Sequence, residues 1–193
     1  MSLKFPVSLV GKGGSGVPTA CNPAIQPCWA EALDPALSYL FGDSCNILKS
    51  TADAIIPDDW GRDLSTYKHL ILGANVTTLG TFSGNCFKNS GLREVYIPTN
   101  VTSTKNYPFS LCSSLVKVTI TGGMSGNVAY MFLNCTNLTR LNVCNLNPPS
   151  GYSSGGFGSF AGCPLTECHV PENATGFGAT YLGLTVVKDL PAL

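Results

Sequence analysis

Residues 109–120 read FSLCSSLVKVTI, and residues 132–143 read FLNCTNLTRLNV. An earlier copy of the same pattern occupies residues 87–97, FKNSGLREVYI. The leucine position of these three copies, Leu92, Leu115 and Leu138, recurs every 23 residues. A fourth copy, FAGCPLTECHV in residues 160–170, comes after an offset of 27 residues. Self-similarity at a fixed period of about 20 to 29 residues predicts a solenoid whose coils stack along one axis.

The end of each copy alternates apolar and polar residues, as expected for a strand with one buried face. Two residues per copy are predicted to face the core: Val95 and Ile97, Val118 and Ile120, Leu141 and Val143, and Cys168 and Val170. One coil cannot bury its own apolar edge, whereas stacked coils bury one another's edges. We therefore expect a parallel ladder of short strands spaced by about 4.8 Å.

Each copy begins with an aromatic residue and carries a small residue three positions later. The aromatic residues, which we expect to pack in the core from the return side, are Phe87, Phe109, Phe132 and Phe160. The small residues are Ser90, Cys112, Cys135 and Cys163. We interpret these thiols as a buried stack, because free Cys behaves as a small hydrophobe. A metal site would need pairs of Cys or His at chelating spacing, and here one thiol arrives per coil, so no metal is predicted.

The pattern F-x-x-C-x-x-L-x-x-V-x-I-P, with Pro98 and Pro171 closing strands, resembles the BspA-like leucine-rich repeats of bacterial surface proteins. The resemblance covers residues 70–171, and a Gly/Ser/Pro-rich insertion at residues 145–158 separates the third and fourth copies. It implies a leucine-rich repeat solenoid, predicted to be right-handed, with short parallel strands and irregular return segments. It also implies adhesion at a cell surface through binding of a protein or a glycan.

The chain is predicted to contain three parts. Residues 1–61 form an N-terminal cap, residues 62–171 a solenoid of about four coils, and residues 172–193 a C-terminal cap. Asp34 followed by Pro35 is typical of a helix start, which predicts a short helix near residues 35–41 and an α/β class for the whole chain. Caps are expected because the end coil of a solenoid otherwise exposes its core.

The composition excludes some partners. Of the 193 residues only 11% are charged and the net charge is zero, so neither a nucleic acid nor an anionic membrane is an implied partner. No apolar run approaches the roughly 18 residues of a membrane span. The first ten residues make a poor signal peptide, because Pro6 breaks a short apolar stretch. Low charge with abundant Gly, Ser, Thr and Asn favours a cell-surface, secreted or virion-surface protein.

Two features of the N-terminal part have a local interpretation. Cys21 and Cys28 are the best candidates for a local disulfide, but the odd total of nine Cys leaves at least one thiol unpaired within the chain. The Gly-rich stretch at residues 11–16 resembles a phosphate-binding loop. The second Lys and the hydroxyl residue of that loop are replaced by Val17 and Pro18, so a flexible linker is the better interpretation.

The outward positions of the predicted strands are the candidate binding site. They combine charges of both signs with one Tyr and one His: Arg93, Glu94, Tyr96, Lys117, Thr119, Arg140, Asn142, Glu167 and His169. Such a ladder can bind a protein or a glycan, and the alternative is a solvated face without a ligand.

Enzyme chemistry has little support in the sequence. His69 and His169 are the two histidines, and Cys168 lies beside His169 but on the opposite strand face, where the two side chains do not meet. Asp58 and Asp59 lack calcium-loop spacing and are interpreted as solvated acids in a turn. We therefore predict a non-catalytic binding module without cofactor. The alternatives are a structural or receptor-binding part of a phage-like particle and an enzyme seated in the N-terminal segment.

Overall fold

The structure, a computed structural model, describes residues 45–48, 55–56, 58–59, 69–72, 76–125, 128–152 and 158–193. The helix predicted near 35–41, the linker at 11–16 and the Cys21 and Cys28 pair lie outside these residues. The regular elements within the described ranges are strands: β1 (Cys45–Leu48), β2 (Ile55–Ile56), β3 (His69–Leu72), β4 (Thr78–Leu79), β5 (Glu94–Ile97), β6 (Ser103–Thr104), β7 (Lys117–Ile120), β8 (Arg140–Val143), β9 (Glu167–Pro171), β10 (Thr180–Tyr181) and β11 (Leu184–Leu190).

The main sheet is the predicted parallel ladder. Eight strands lie in the order β1-β3-β5-β7-β8-β9-β11-β10, with parallel neighbours from β1 to β11 and β10 antiparallel to β11. The described chain is a β-solenoid of about five turns, one more than the four coils predicted. Its return segments are turns and short strands rather than helices, so the α/β class is not confirmed there.

The ladder begins earlier than the repeats visible in the sequence. β3 lies at the start of the stretch covered by the resemblance, and β1 pairs with it residue by residue, Cys45 with His69 through Leu48 with Leu72. β1 therefore adds a rung inside the stretch assigned to the N-terminal cap. The three-part division of the chain stays a prediction.

The register confirms the alternation of inward and outward residues. Val95 lies beside Val118, Val118 beside Leu141, and Leu141 beside Cys168. All four side chains are buried in one hydrophobic core. Because the next inward position of each rung (Ile97, Ile120, Val143 and Val170) is equally buried, each strand contributes two side chains to the core.

An aromatic stack fills the return side of the core. Phe87 stacks on Phe109 with 5.0 Å between ring centroids, Phe109 on Phe132 with 5.1 Å, and Phe132 on Phe160 with 5.1 Å. The interplanar angles lie between 6° and 10°. The predicted position of these rings is confirmed, and each ring binds two coils together.

The thiol stack is also confirmed. Cys112 and Cys135 are fully buried and Cys163 is half-buried at the end of the row. Each thiol donates to a backbone carbonyl of the preceding coil, at 3.2 Å to Phe87 for Cys112 and at 3.1 Å to Phe109 for Cys135. A small thiol satisfies that buried carbonyl without taking the volume of a larger polar side chain.

Backbone hydrogen bonds repeat on the return side of the solenoid. The N–H of Phe87 donates to Pro108 at 2.8 Å, and the N–H of Phe109 donates to Met131 at 3.0 Å. A three-stranded parallel sheet in the order β2-β4-β6 lies in the first coils. Consecutive coils are therefore joined on two sides, so that buried backbone groups are paired without helices.

One repeat position adopts the left-handed backbone region in all four copies. It is the residue before the thiol column, and it is occupied by Asn89 (φ 58°), Leu111 (φ 60°), Asn134 (φ 56°) and Gly162 (φ 75°). Asn and Gly tolerate this region, whereas a branched residue such as Leu is strained there by about 1–2 kcal/mol. Packing of the Leu111 side chain offsets little of this strain, because 42% of the residue's surface is exposed.

We expect Leu111→Asn to stabilise the protein by about 0.5–1 kcal/mol, because it relieves backbone strain and removes little packing. Urea unfolding measured by circular dichroism gives the free energy of unfolding. Leu146→Asn is the matched control, since Leu146 is 40% exposed but does not have positive φ. Equal effects of the two substitutions, or a loss of stability in Leu111→Asn, would contradict the strain argument.

The C-terminal tail extends the ladder beyond β9. β11 pairs parallel with β9, and β10 turns back onto β11 through Leu182 (φ 55°) and Gly183 (φ 81°). Two consecutive residues at positive φ form the tight hairpin turn that suits twisted strands. The antiparallel β10 covers part of an edge that would otherwise pair with another chain.

Candidate binding surface

The first outward position of the strands carries charged side chains in line. Glu94 lies beside Lys117 and Lys117 beside Arg140, with Glu167 at the same place in β9. These four residues and Arg93, which precedes β5, are called the charged row. Lys117 Nζ is 3.0 Å from Glu94 Oε2, so the centre of the row is neutralised internally. Arg93 and Glu167 are exposed at its two ends.

The second outward position does not face solvent, and this corrects the prediction for four residues. Tyr96, Thr119, Asn142 and His169 are all buried, with exposures of 7% or less. Side chains on neighbouring rungs lie about 4.8 Å apart and pack against each other. The column on the side away from the charged row, which includes Thr121 and Cys144, is buried as well, so these side chains have covered neighbours on that side. Their direct part in ligand binding, predicted from the sequence, stays a prediction.

Hydrogen bonds satisfy most of this buried column. The Tyr96 hydroxyl lies 3.5 Å from Thr121 Oγ1, and Arg140 Nε donates to Asn142 Oδ1 at 3.0 Å. His169 Nδ1 lies 3.0 and 2.9 Å from the two carboxylate oxygens of Asp189. Burying polar groups is costly unless they are paired, and these pairs remove that cost.

Asp189 is a site residue that sequence reasoning missed. It lies at an irregularity of β11, between the paired residues Lys188 and Leu190, outside the repeats. Its carboxylate also lies 3.8 Å from Arg140 Nη2, so it connects β8, β9 and β11 at the C-terminal end of the charged row. No repeat position predicts an acid there, and the sequence offered no signal for it.

The thiol and the imidazole that adjoin in sequence do not form a reactive pair. Cys168 belongs to the hydrophobic core, whereas His169 faces Asp189 on the other side of the strand. Burial raises the pKa of Cys168 to about 12, so the group is a thiol at neutral pH. Among the described side chains, no three His, Cys, Asp or Glu residues are grouped as metal ligands.

Asp58 has a defined role that the sequence did not reveal. Its Oδ1 accepts from the N–H groups of Thr81 at 2.9 Å and Gly84 at 2.8 Å. Its Oδ2 accepts from Phe82 at 3.0 Å and Ser83 at 2.9 Å. We call these four N–H groups and the carboxylate the Asp58 cradle. Asp58 lies in a turn as predicted and is only partly buried, but the sequence did not predict its four hydrogen bonds, while Asp59 is exposed as predicted.

Glycines permit the cradle to close. Gly80 (φ 89°) and Gly84 (φ 76°) adopt backbone conformations that disfavour other residues. A Cβ on Gly80 would lie 2.5 Å from the Gly84 Cα, and one on Gly84 would lie 2.2 Å from the Asn106 carbonyl oxygen. The sequence feature that accompanies the Asp58 cradle is the G-x-x-x-G spacing after β4. On its own this spacing also fits an ordinary loop.

The cradle favours the ionised form of Asp58. Partial burial would raise its pKa, but hydrogen bonds from Ser83, Thr81, Gly84 and Phe82 outweigh that effect and hold the pKa well below its usual range. The negative charge of Asp58 acts in turn on Cys86. Burial first, and then this charge, raise the pKa of the Cys86 thiol to about 12.

The ladder and the charged row define a β-solenoid repeat protein. The family model described as "BspA type Leucine rich repeat region" matches residues 64–182 in six copies, well over half of the chain, so the chain belongs to that family. No curated protein and no solved structure matches the chain. Family membership points to a repeat-based binding or surface module. Nowhere in the described residues is there a helix long and apolar enough to cross a membrane.

Proposed function

We propose that the chain is a non-catalytic adhesion module, secreted or displayed on a bacterial cell surface, that binds a protein or a glycan through the charged row. Membership in the BspA-type family supports a surface binding module, and the low charge of the sequence suits an extracellular setting. The observation that carries the proposal is the fixed register of the row. Parallel pairing from β5 to β9 holds its charges on a backbone that needs little reordering to bind.

The ends of the row contribute most to binding in this proposal. Glu94 and Lys117 are largely buried and paired with each other, so a ligand would have to break that pair to use them. Arg93 and Glu167 are exposed, opposite in charge and several rungs apart. A ligand with complementary charges at that spacing could contact both ends, and Arg is enriched among residues that dominate binding energy.

The test is a binding screen of the purified chain against immobilised extracellular-matrix proteins and a glycan array. For each ligand found, the dissociation constant is measured for the wild type and for Arg93→Glu/Glu167→Lys, which reverses both ends without changing the net charge. We expect binding at least about tenfold weaker in this double variant, which corresponds to about 1.4 kcal/mol.

The matched control is Lys88→Glu/Glu172→Lys, which makes the same two charge reversals outside the charged row. We expect it to bind within about twofold of wild type, because it leaves every side chain of the charged row unchanged. A screen without any ligand, or equal losses in the two double variants, would contradict the proposal. Both variants are checked for wild-type circular dichroism first.

A further inference from the structure

The thiol stack has one accessible end. Six Cys residues have a described exposure: five are buried, and Cys163 is half-buried. Its neighbours in the chain, Gly162 and Pro164, are exposed, so a dissolved reagent can reach this turn. The other two thiols of the stack, Cys112 and Cys135, are fully buried. Because oxidation of a thiol depends on access to its sulfur, a reagent that arrives from solvent meets Cys163 first.

Cys135 occupies the matching position in the preceding coil. Two backbone hydrogen bonds fix this register: the Phe132 N–H donates to Ser159 at 2.7 Å, and the Asn134 N–H donates to Ala161 at 2.8 Å. The aromatic rings that begin the two copies are 5.1 Å apart. Parallel segments at a spacing of about 4.8 Å place matched Cα atoms within the range of about 4.4–6.8 Å that a disulfide spans.

The two thiols repeat one geometry, one coil apart. Cys135 Sγ donates to the Phe109 carbonyl at 3.1 Å, and Cys163 Sγ donates to the Phe132 carbonyl at 3.1 Å. Hydrogen bonding to Cys135 lowers the pKa of Cys163, and partial burial opposes this effect. Hydrogen bonding to Cys112 and Cys163, together with burial, raises the pKa of Cys135. The thiolate is the form that attacks an oxidant, so access and ionisation both favour Cys163 over Cys135.

We propose that Cys163 is an oxidation site for a peroxide and that Cys135 is its resolving thiol, so that one disulfide joins the third and fourth coils. In the first step the Cys163 sulfur attacks a peroxide oxygen and the O–O bond breaks, which gives a sulfenic acid and releases one water. In the second step the Cys135 sulfur attacks the Cys163 sulfur, the S–S bond forms and the S–O bond breaks, and the oxygen leaves as water with the Cys135 proton. The two thiols lose two electrons in total, and one hydrogen peroxide is reduced to two waters.

The disulfide closes the part of the chain that departs from the repeat. Cys135 and Cys163 lie about 28 residues apart, on either side of the Gly/Ser/Pro-rich insertion at residues 145–158. Closing such a loop restricts the unfolded chain and so stabilises the folded one. The Phe132 carbonyl loses the Cys163 S–H but keeps the Cys135 N–H at 3.2 Å, so this acceptor stays paired. The oxidation uses no residue of the charged row and is independent of the adhesion proposal.

The test treats the reduced full chain with hydrogen peroxide and maps its disulfides by mass spectrometry of peptides digested without reduction. We expect a crosslink between Cys135 and Cys163. The crosslink should raise the midpoint of thermal unfolding by at least about 5 °C, and dithiothreitol should reverse the shift. The matched control is Cys112→Ser, which makes a thiol-to-hydroxyl exchange in the same stack, where the first copy already has Ser90. It leaves the pair intact and should form the same crosslink.

Two further variants separate the two chemical steps. In Cys135→Ser the sulfenic acid at Cys163 has no resolving thiol, so a dimedone adduct should accumulate at Cys163 under the same treatment. In Cys163→Ser the accessible sulfur is missing, so peroxide should leave the unfolding midpoint unchanged. Circular dichroism checks that each variant is folded. If either does not fold, the peptide maps of the wild type and of Cys112→Ser decide the question.

Several outcomes would overturn the inference. One is a peptide map in which Cys135 is crosslinked to Cys112, or Cys163 to a cysteine other than Cys135. Another is sulfinic or sulfonic acid at Cys163 without a crosslink, which would show that Cys135 does not reach the oxidised sulfur. A chain that peroxide leaves fully reduced, or a disulfide between two chains on a non-reducing gel, would also contradict it.

Discussion

Phe109→Ala should lower the free energy of unfolding by about 3–5 kcal/mol, the usual cost of truncating a fully buried aromatic residue. Phe109 is fully buried in the middle of the aromatic stack, with Phe87 and Phe132 at 5.0 and 5.1 Å. Its removal opens a cavity between two coil interfaces and deletes two ring contacts worth about 0.5–1.5 kcal/mol each. Stability in a solenoid depends on contacts between neighbouring coils, so both interfaces of this coil weaken together.

Urea unfolding followed by circular dichroism measures this loss of unfolding free energy. Two further variants serve as comparisons. Phe82→Ala is the same chemical change at an exposed ring and should stay within about 0.5 kcal/mol of wild type. Phe109→Leu keeps part of the volume and should cost about 1–2 kcal/mol. A loss below about 2 kcal/mol in Phe109→Ala would mean that the coils relax around the missing ring and that the stack is not the main contact between them.

The repeated part of the fold was predictable because each of its features occurs several times in the sequence. The inward pair of each strand, the aromatic stack and the thiol column all follow from a pattern whose copies check one another. The early rung β1 was not predictable, because residues 45–48, Cys-Asn-Ile-Leu, do not follow the alternating pattern of the repeats. A pairing that depends on a neighbouring strand has no signal in its own segment.

The candidate site was only half predictable, for a related reason. Period-two alternation correctly assigned which residues face away from the core, but it cannot tell whether that outer face is covered. Arg93 and Glu167 are therefore exposed, as expected of outward positions, whereas Tyr96 and Asn142 are outward but buried. The Asp58 cradle joins segments more than 20 residues apart through backbone N–H groups, and backbone donors are the same at every non-proline residue, so side-chain patterns cannot reveal it.

Asp58→Asn should lower the free energy of unfolding at neutral pH by about 2–3 kcal/mol. The Asn amide offers one acceptor oxygen where the carboxylate offers two, and its NH₂ group would face N–H donors. Hydrogen bonds to a charged group contribute about 1.5–3 kcal/mol each, and we discount their sum because Asp58 is only partly buried. The four N–H groups from Thr81 to Gly84 should also exchange with solvent at least about tenfold faster, because local opening is easier without the carboxylate.

The effect of this substitution should depend on pH in a defined direction. The pKa of Asp58 is held well below its usual range in the folded protein, while in the unfolded chain it is about 3.9. The unfolded state therefore binds more protons in acid, so the stabilisation by Asp58 is complete above about pH 5 and declines as the pH falls through the folded pKa. The difference in unfolding free energy between wild type and Asp58→Asn should be largest near pH 6 and smaller at pH 2.

Asp59→Asn is the matched control for this prediction, since it makes the same exchange at the adjacent, exposed acid. Asp59 has φ 58°, a conformation that Asn tolerates, so the control should stay within about 0.5 kcal/mol of wild type. A difference between wild type and Asp58→Asn that did not shrink in acid would show that the substitution acts through packing rather than through charge. Equal effects at residues 58 and 59 would show that local negative charge, and not the four N–H groups of the Asp58 cradle, stabilises the loop.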